Sequence, residues 1–259
     1  MEENQRMSSL FKSIPAFALI VCSLHTIFFL LSLLFPFFIL SLTCIPHYTI
    51  RNFEPWRIIT SPFITYYFFE LSIVLPSYWS TAVLTEKRMG SLRYFFFFFS
   101  NTVLIQIFYF LGSLLVEPLN ISIGRIIIGE IMAEIMLISK KNPESPIPFL
   151  CCPGRVKSIY YPYLALFLFA CLGFPFEGLA GVIVGLLNTK ISFSNLQRNR
   201  VEDLEKNVCF ACFGVVPNFI PVSQAGEEEL PFTFIHAENA ASPPQRNYER
   251  FNEFEDDSL

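Results

Sequence analysis

Glu70, Arg125, Glu130 and Glu134 are ionisable residues inside apolar stretches of this 259-residue chain. An ion at membrane depth is costly, so such residues are usually paired or functional. Arg125 either pairs with a carboxylate of another apolar stretch or extends its guanidinium to the membrane surface. Glu130 and Glu134 stand four apart and share one face of a helix. That face either lines a wet groove that accepts a polar residue of another membrane protein, or packs near one helix end. Acyl-transfer chemistry is poorly supplied. A serine hydroxyl is a weak nucleophile until a base removes its proton, and the three histidines, His25, His47 and His236, are scattered over the first apolar run, the next loop and the tail. Cys209 and Cys212 have redox or half-zinc spacing. They lack the second pair or nearby histidine that a zinc site needs, and read better as palmitoylation sites beside the membrane. Neither a metal nor a cofactor is indicated.

The elements that must position these residues are membrane helices. The chain is 53% hydrophobic and 15% charged, against about 25% charged in a soluble domain. Apolar runs near the roughly 20 residues that cross a bilayer recur. Six spans are expected: Ile14–Leu42, Ser61–Leu84, Leu92–Val116, Ile121–Ile138, Ile159–Phe174 and Phe176–Asn188. The last two are short and meet at a turn over Gly173–Pro175. The first run is too long for the apolar region of a signal peptide and reads as a retained span. All but three of the 18 basic residues (Arg51, Arg57 and Arg125) then fall on one side, which the positive-inside rule makes the cytosol and which puts both termini there. The net charge of −4 and pI near 5.5 do not suggest a nucleic-acid partner. Residues 14–190 form the transmembrane domain and 191–223 a cytosolic or interfacial segment. The acidic tail, 224–259, has too little apolar surface to fold alone and is expected to be disordered. The Phe95–Phe99 run reads as a lipid-facing and packing surface, and Asn120-Ile-Ser122 is a glycosylation sequon close to the membrane.

Three local patterns occur in order. Trp56-Arg57 precedes the second span and suits the membrane interface, with indole at headgroup depth and guanidinium on a phosphate or backbone carbonyl. Glu86-Lys-Arg-Met-Gly90-Ser follows that span; Glu86 there can hold the reversal at Gly90 by accepting hydrogen bonds. The last span carries Gly178, Gly181 and Gly185, whose small size allows close helix approach. Together these patterns resemble the rhomboid superfamily over about residues 14–190. The sequences around IPHYTIRNFEPWRII, EKRMGSLRYFFFF and IPFLCCPGRV are most similar to the non-proteolytic endoplasmic-reticulum branch that carries a ubiquitin-associated domain. The tail here has neither the length nor the pattern for that three-helix domain. Derlins and Golgi rhomboid-like proteins are nearby alternatives.

The resemblance implies an all-α, six-helix polytopic bundle and a particular site. An active member has Gly-x-Ser-Gly on the fourth span, a histidine on the sixth, and oxyanion donors on the second, as the acyl-transfer chemistry requires. Here the positions corresponding to those groups hold Arg125 for the nucleophile, Gly178 for the base, and Glu70 and Val74 for the oxyanion donors; since the family's second and fourth spans meet at that site, the resemblance implies Glu70 as the carboxylate with which Arg125 would pair. No catalytic residue is assigned, and Ser122 is the one serine near the right depth. The implied function is a catalytically inactive protein that binds membrane-protein clients in endoplasmic-reticulum quality control, degradation or trafficking. Glu70, Arg125, Glu130 and Glu134 are its candidate client contacts, the bilayer its surroundings, and ubiquitin-ligase or degradation machinery the candidate partner of its tail. An active intramembrane serine protease and a Golgi trafficking scaffold are the alternatives.

Overall fold

The computed structural model describes residues 15–116, 119, 122–144, 146–149 and 152–191, and in the C-terminal part 201, 203–205, 216, 218–223 and 225. The described residues are mostly helical. In chain order the helices are α1 Ala16–Leu34, α2 Pro36–Leu40, α3 Pro46–Arg51, α4 Trp56–Thr60, α5 Phe68–Met89, α6 Ser91–Leu115, α7 Ile126–Lys141, α8 Tyr161–Cys171 and α9 Pro175–Ile191.

Each of the six expected spans contains one main helix, with shifted ends. The first stops at Leu34 rather than continuing to Leu42, because Pro36 starts a separate short helix and a proline lacks the N–H that an uninterrupted helix would need there. The second begins at Phe68, not Ser61. Trp56–Phe63 and Phe68–Met89 meet at 89°, with the proline of the 3-10 turn Ser61–Phe63 just ahead of the break at 64–67. Its end moves from Leu84 to Met89, where Gly90 at φ +87° stops it. Left-handed φ values of that kind favour glycine. Among the described residues two helices, α1 and α6, are long and apolar enough to cross a bilayer alone, and the bent pair makes up to three. These apolar helices mark a membrane-embedded protein. The helices α7, α8 and α9 have 16, 11 and 17 residues.

Helix α7 is short because it does not face lipid. Every residue from Ile126 to Ser139 is buried, and α5, α6, α8 and α9 pack around it. A helix buried on every side in this way must have its polar side chains hydrogen-bonded within the bundle. The outward faces of α1, α6 and α8 are apolar instead: Leu34, Leu115 and Phe167 are 70%, 87% and 70% exposed. Lipid is as apolar as leucine, so helices in it are held by close packing and polar contacts rather than by apolar burial. Both are present. A Cβ at Gly181 would stand 2.1 Å from the Gly129 carbonyl oxygen, and one at Gly185 would stand 2.9 Å from that of Ala133, so α7 and α9 touch backbone to backbone. Asn188 Nδ2 donates to Asn101 Oδ1 at 2.7 Å, joining α9 to α6, and Gln106 Nε2 donates to the Ile58 carbonyl at 2.6 Å.

Two regions differ from the sequence-based expectation. Within the all-α fold, Pro146–Phe149 and Cys152–Lys157 form a two-stranded antiparallel hairpin. The Phe95–Phe99 run faces inward more than toward lipid: Phe97 and Phe98 are buried, and Phe98 stacks on Phe63 and meets Tyr78 edge-on. The C-terminal segment docks on the bundle end where α1 and α6 begin. Ser91 N–H donates to the Ile220 carbonyl at 2.8 Å, Ile220 N–H to Ser91 Oγ at 3.0 Å, and Ala16 N–H to the Asn218 carbonyl at 3.3 Å. Val222 is buried over Leu92 and Val201.

Candidate functional site

Three helices begin at the other end of the bundle, and each brings an ionisable group there. Glu70 sits in the first turn of α5 and Glu177 in the first turn of α9, while Arg125 immediately precedes α7. A carboxylate is favoured at a helix N-terminus by the free N–H groups and the dipole. Glu177 Oε1 uses one such group directly, accepting a hydrogen bond from Arg125 N–H at 3.2 Å.

Arg125 and Glu70 form an ion pair, with Nε 3.6 Å from Oε1 and side chains 19% and 3% exposed. The alternative, in which Arg125 reaches away to the membrane surface, is not adopted. The guanidinium lies 5.0 Å from the Phe174 ring centroid and 6.0 Å from that of Tyr67, and Nη1 donates to the Ile123 carbonyl at 2.9 Å. At 3.6 Å the pair is beyond hydrogen-bonding distance. Arg125 Nε and both Glu70 carboxylate oxygens are buried without a hydrogen-bond partner in the structure.

The pair forms one side of a cleft of about 480 Å³ between α5, the start of α7, and the α8–α9 turn. Tyr67, Phe69, Val74, Ile128, Phe169 and Phe174 supply most of the remaining wall. Three of the four positions matched to the hydrolytic site, Glu70, Val74 and Arg125, therefore line one space. Gly178 does not. A Cβ there would meet Leu166 Cδ1 at 2.9 Å, so this position faces α8. The α9 residue that reaches Arg125 is its neighbour Glu177.

Glu130 and Glu134 lie elsewhere. Both are fully buried, and both turn toward α6, where Thr102 Oγ1 donates to Glu130 Oε1 at 2.6 Å and the Tyr94 hydroxyl donates to Glu134. Tyr94 is in turn 3.1 Å from the Tyr78 hydroxyl. Neither glutamate lines the cleft; of the four candidate contact residues, Glu70 and Arg125 do. Closure of the packing around α7 puts that face against another helix.

The remaining motif residues hold the frame. Arg57 Nη1 donates to the carbonyls of Leu40 and Thr43, both at 2.8 Å, and its guanidinium pairs with Glu54. Trp56 Nε1 donates to the Ser41 carbonyl at 3.3 Å. This pair thus fixes the loop between α1 and α4 by its backbone. Glu86 accepts from Phe17 N–H at 2.9 Å, Ala18 N–H at 2.8 Å and Ser91 Oγ at 2.6 Å. It binds the free N-terminal groups of α1 as well as the Gly90 turn.

Ser122 Oγ is 2.6 Å from the Tyr109 hydroxyl. His25 is buried on α1 with Nδ1 3.1 Å from Thr65 Oγ1. Among the described residues, no group of three or more His, Cys, Asp or Glu side chains is arranged to hold a metal. Asn120, Cys209, Cys212, His236 and the tail beyond Ala225 lie outside the described residues. Sequence reasoning missed Glu177, Tyr109 and the Asn101–Asn188 pair. Glu177 alone had a signal, as an acid two residues after a proline that opens an apolar helix.

No protein-family model matches the chain, and neither a curated protein nor a solved structure matches it.

Proposed function

We propose that this chain is a non-catalytic, rhomboid-like membrane protein with six spans. It binds membrane-protein clients at the cleft beside Glu70 and Arg125, in endoplasmic-reticulum quality control, degradation or trafficking. The observation that carries the reading is the convergence of Glu70, Val74 and Arg125 on that cleft, with an ion pair at 3.6 Å where a serine hydrolase of this kind would keep nucleophile and oxyanion donors. A cleft bounded by helix faces takes a client helix by shape and polar contact without cutting it. The partner of Ser122 supports the same reading: a phenol is its neighbour, and a phenol is a poor base near neutral pH because its proton is lost only around pH 10.

A photo-crosslinking amino acid at Phe69, on the rim of the cleft, tests this in microsomes. Adducts with membrane-spanning proteins are expected, and their yield falls when Glu70 and Arg125 are both replaced by leucine. Truncation after Ala225 keeps the docked segment and the adducts, while cytosolic partners captured through the tail are lost. Labelling of Ser122 by a serine-reactive probe, together with cleavage of a spanning substrate, would establish proteolysis instead.

A further inference from the structure

The floor of the cleft is rich in unused acceptors. Glu70 Oε1 and Arg125 Nε face each other across the 3.6 Å of the ion pair without a hydrogen bond, and Glu70 Oε2 is buried without a partner. A buried polar atom left in that state forfeits the hydrogen bonds it makes in water. Such atoms on a cleft wall point to a ligand that completes them. The ligand must bring N–H or O–H donors for the carboxylate and an acceptor for Nε.

Four side-chain classes can be compared on these terms. An apolar side chain completes nothing. A carboxylate accepts from Arg125 but stands against Glu70 and near Glu177, which repel it. An ammonium satisfies Glu70 but leaves Arg125 Nε bare and sets a second cation beside the guanidinium. A carboxamide offers two N–H donors and one carbonyl oxygen on a single planar group, which matches both unmet requirements. The backbone amides of a client helix are already used within that helix, so the group has to come from a side chain. The apolar remainder of the wall, Phe69, Ile73, Val74, Phe169 and Phe174, suits the flanking residues of a membrane span.

We infer that the Glu70–Arg125 cleft selects client helices that carry an asparagine or glutamine at the depth of this ion pair, an inference that rests on the client-binding reading above and names the residue class it recognises. The test uses the full chain in lipid vesicles with synthetic single-span peptides, identical except for one residue at that depth: Asn, Leu, Lys or Asp. The Phe69 crosslinker reports capture. The Asn peptide is expected to be captured about tenfold better than the Leu peptide, the effect of roughly one or two satisfied buried hydrogen bonds, with Lys and Asp well below Asn. E70Q, which keeps the shape but changes the acceptor set, brings Asn capture down toward the Leu level. Equal capture of Asn and Leu peptides would overturn the carboxamide selectivity while leaving client binding standing. Preferred capture of the Lys peptide would replace a carboxamide by a cation and also overturn it. Capture of none of the four by protein that elutes as a single folded species would remove both the selectivity and the client-binding reading.

Discussion

Glu86 is the residue that ties two separate parts of the chain to the end of α5. Its two oxygens accept from the first turn of α1 and from Ser91 beyond the Gly90 turn. Removing it leaves two helix N–H groups and a hydroxyl without their acceptor. Hydrogen bonds to a charged group contribute about 1.5–3 kcal/mol each and do not add fully, so Glu86→Ala is expected to cost about 2–4 kcal/mol. The measurement is the thermal unfolding midpoint of the detergent-solubilised protein. Glu86→Gln keeps one carbonyl acceptor and should lose about half as much. Arg57 is also structural, because its guanidinium is spent on Glu54 and the carbonyls of Leu40 and Thr43.

Among the elements, α7 and α9 make the closest approach. Gly181 lies against the carbonyl of Gly129, and a methyl group there would be 2.1 Å from that oxygen. Backbone cannot yield as a flexible side chain does, so Gly181→Val is expected to push the helices apart. The cost is about 3 kcal/mol or more, at the upper end of overpacking effects. It is read as loss of the monodisperse species in size-exclusion chromatography. Gly173 is the contrast: its φ is +93° but a Cβ meets nothing within 4 Å, so Gly173→Ala pays only for the backbone conformation, about 1–2 kcal/mol. The pairing of α6 with α7 adds polar ties to close packing, for a Cβ at Gly129 would stand 2.7 Å from Ile105 Cγ2. Glu130 with Thr102 and Glu134 with Tyr94 tie the two helices together.

At the scale of the whole molecule, the two ends of the bundle have different tasks. One end carries Glu86, the Gly90 turn and the docked segment at Asn218–Val222, bonded to each other. The other carries the cleft and the loop fixed by Arg57. The distribution of the basic residues predicts that the first end faces the cytosol. Single cysteines at Arg51 and at Glu144, both exposed, test this in sealed microsomes, in a background stripped of reactive thiols. A membrane-impermeant maleimide is expected to label E144C at once and R51C only after permeabilisation. The reverse pattern would invert the topology.

Local composition was enough to identify lipid as the solvent for most of this chain, to locate six apolar segments, and to single out Glu70 and Arg125 as ions at membrane depth. Those properties are written in runs of neighbouring residues. The helix ends were less legible, because Pro36 and Pro62 interrupt hydrophobic runs that average hydropathy reads as continuous. Burial of Glu130 and Glu134, the turn of Gly178 toward α8, and the meeting of Glu177 with Arg125 depended on how each helix is rotated about its axis. One residue is about 100° of rotation in a helix, so a neighbour in sequence can face a different partner, and only the assembled bundle decides which.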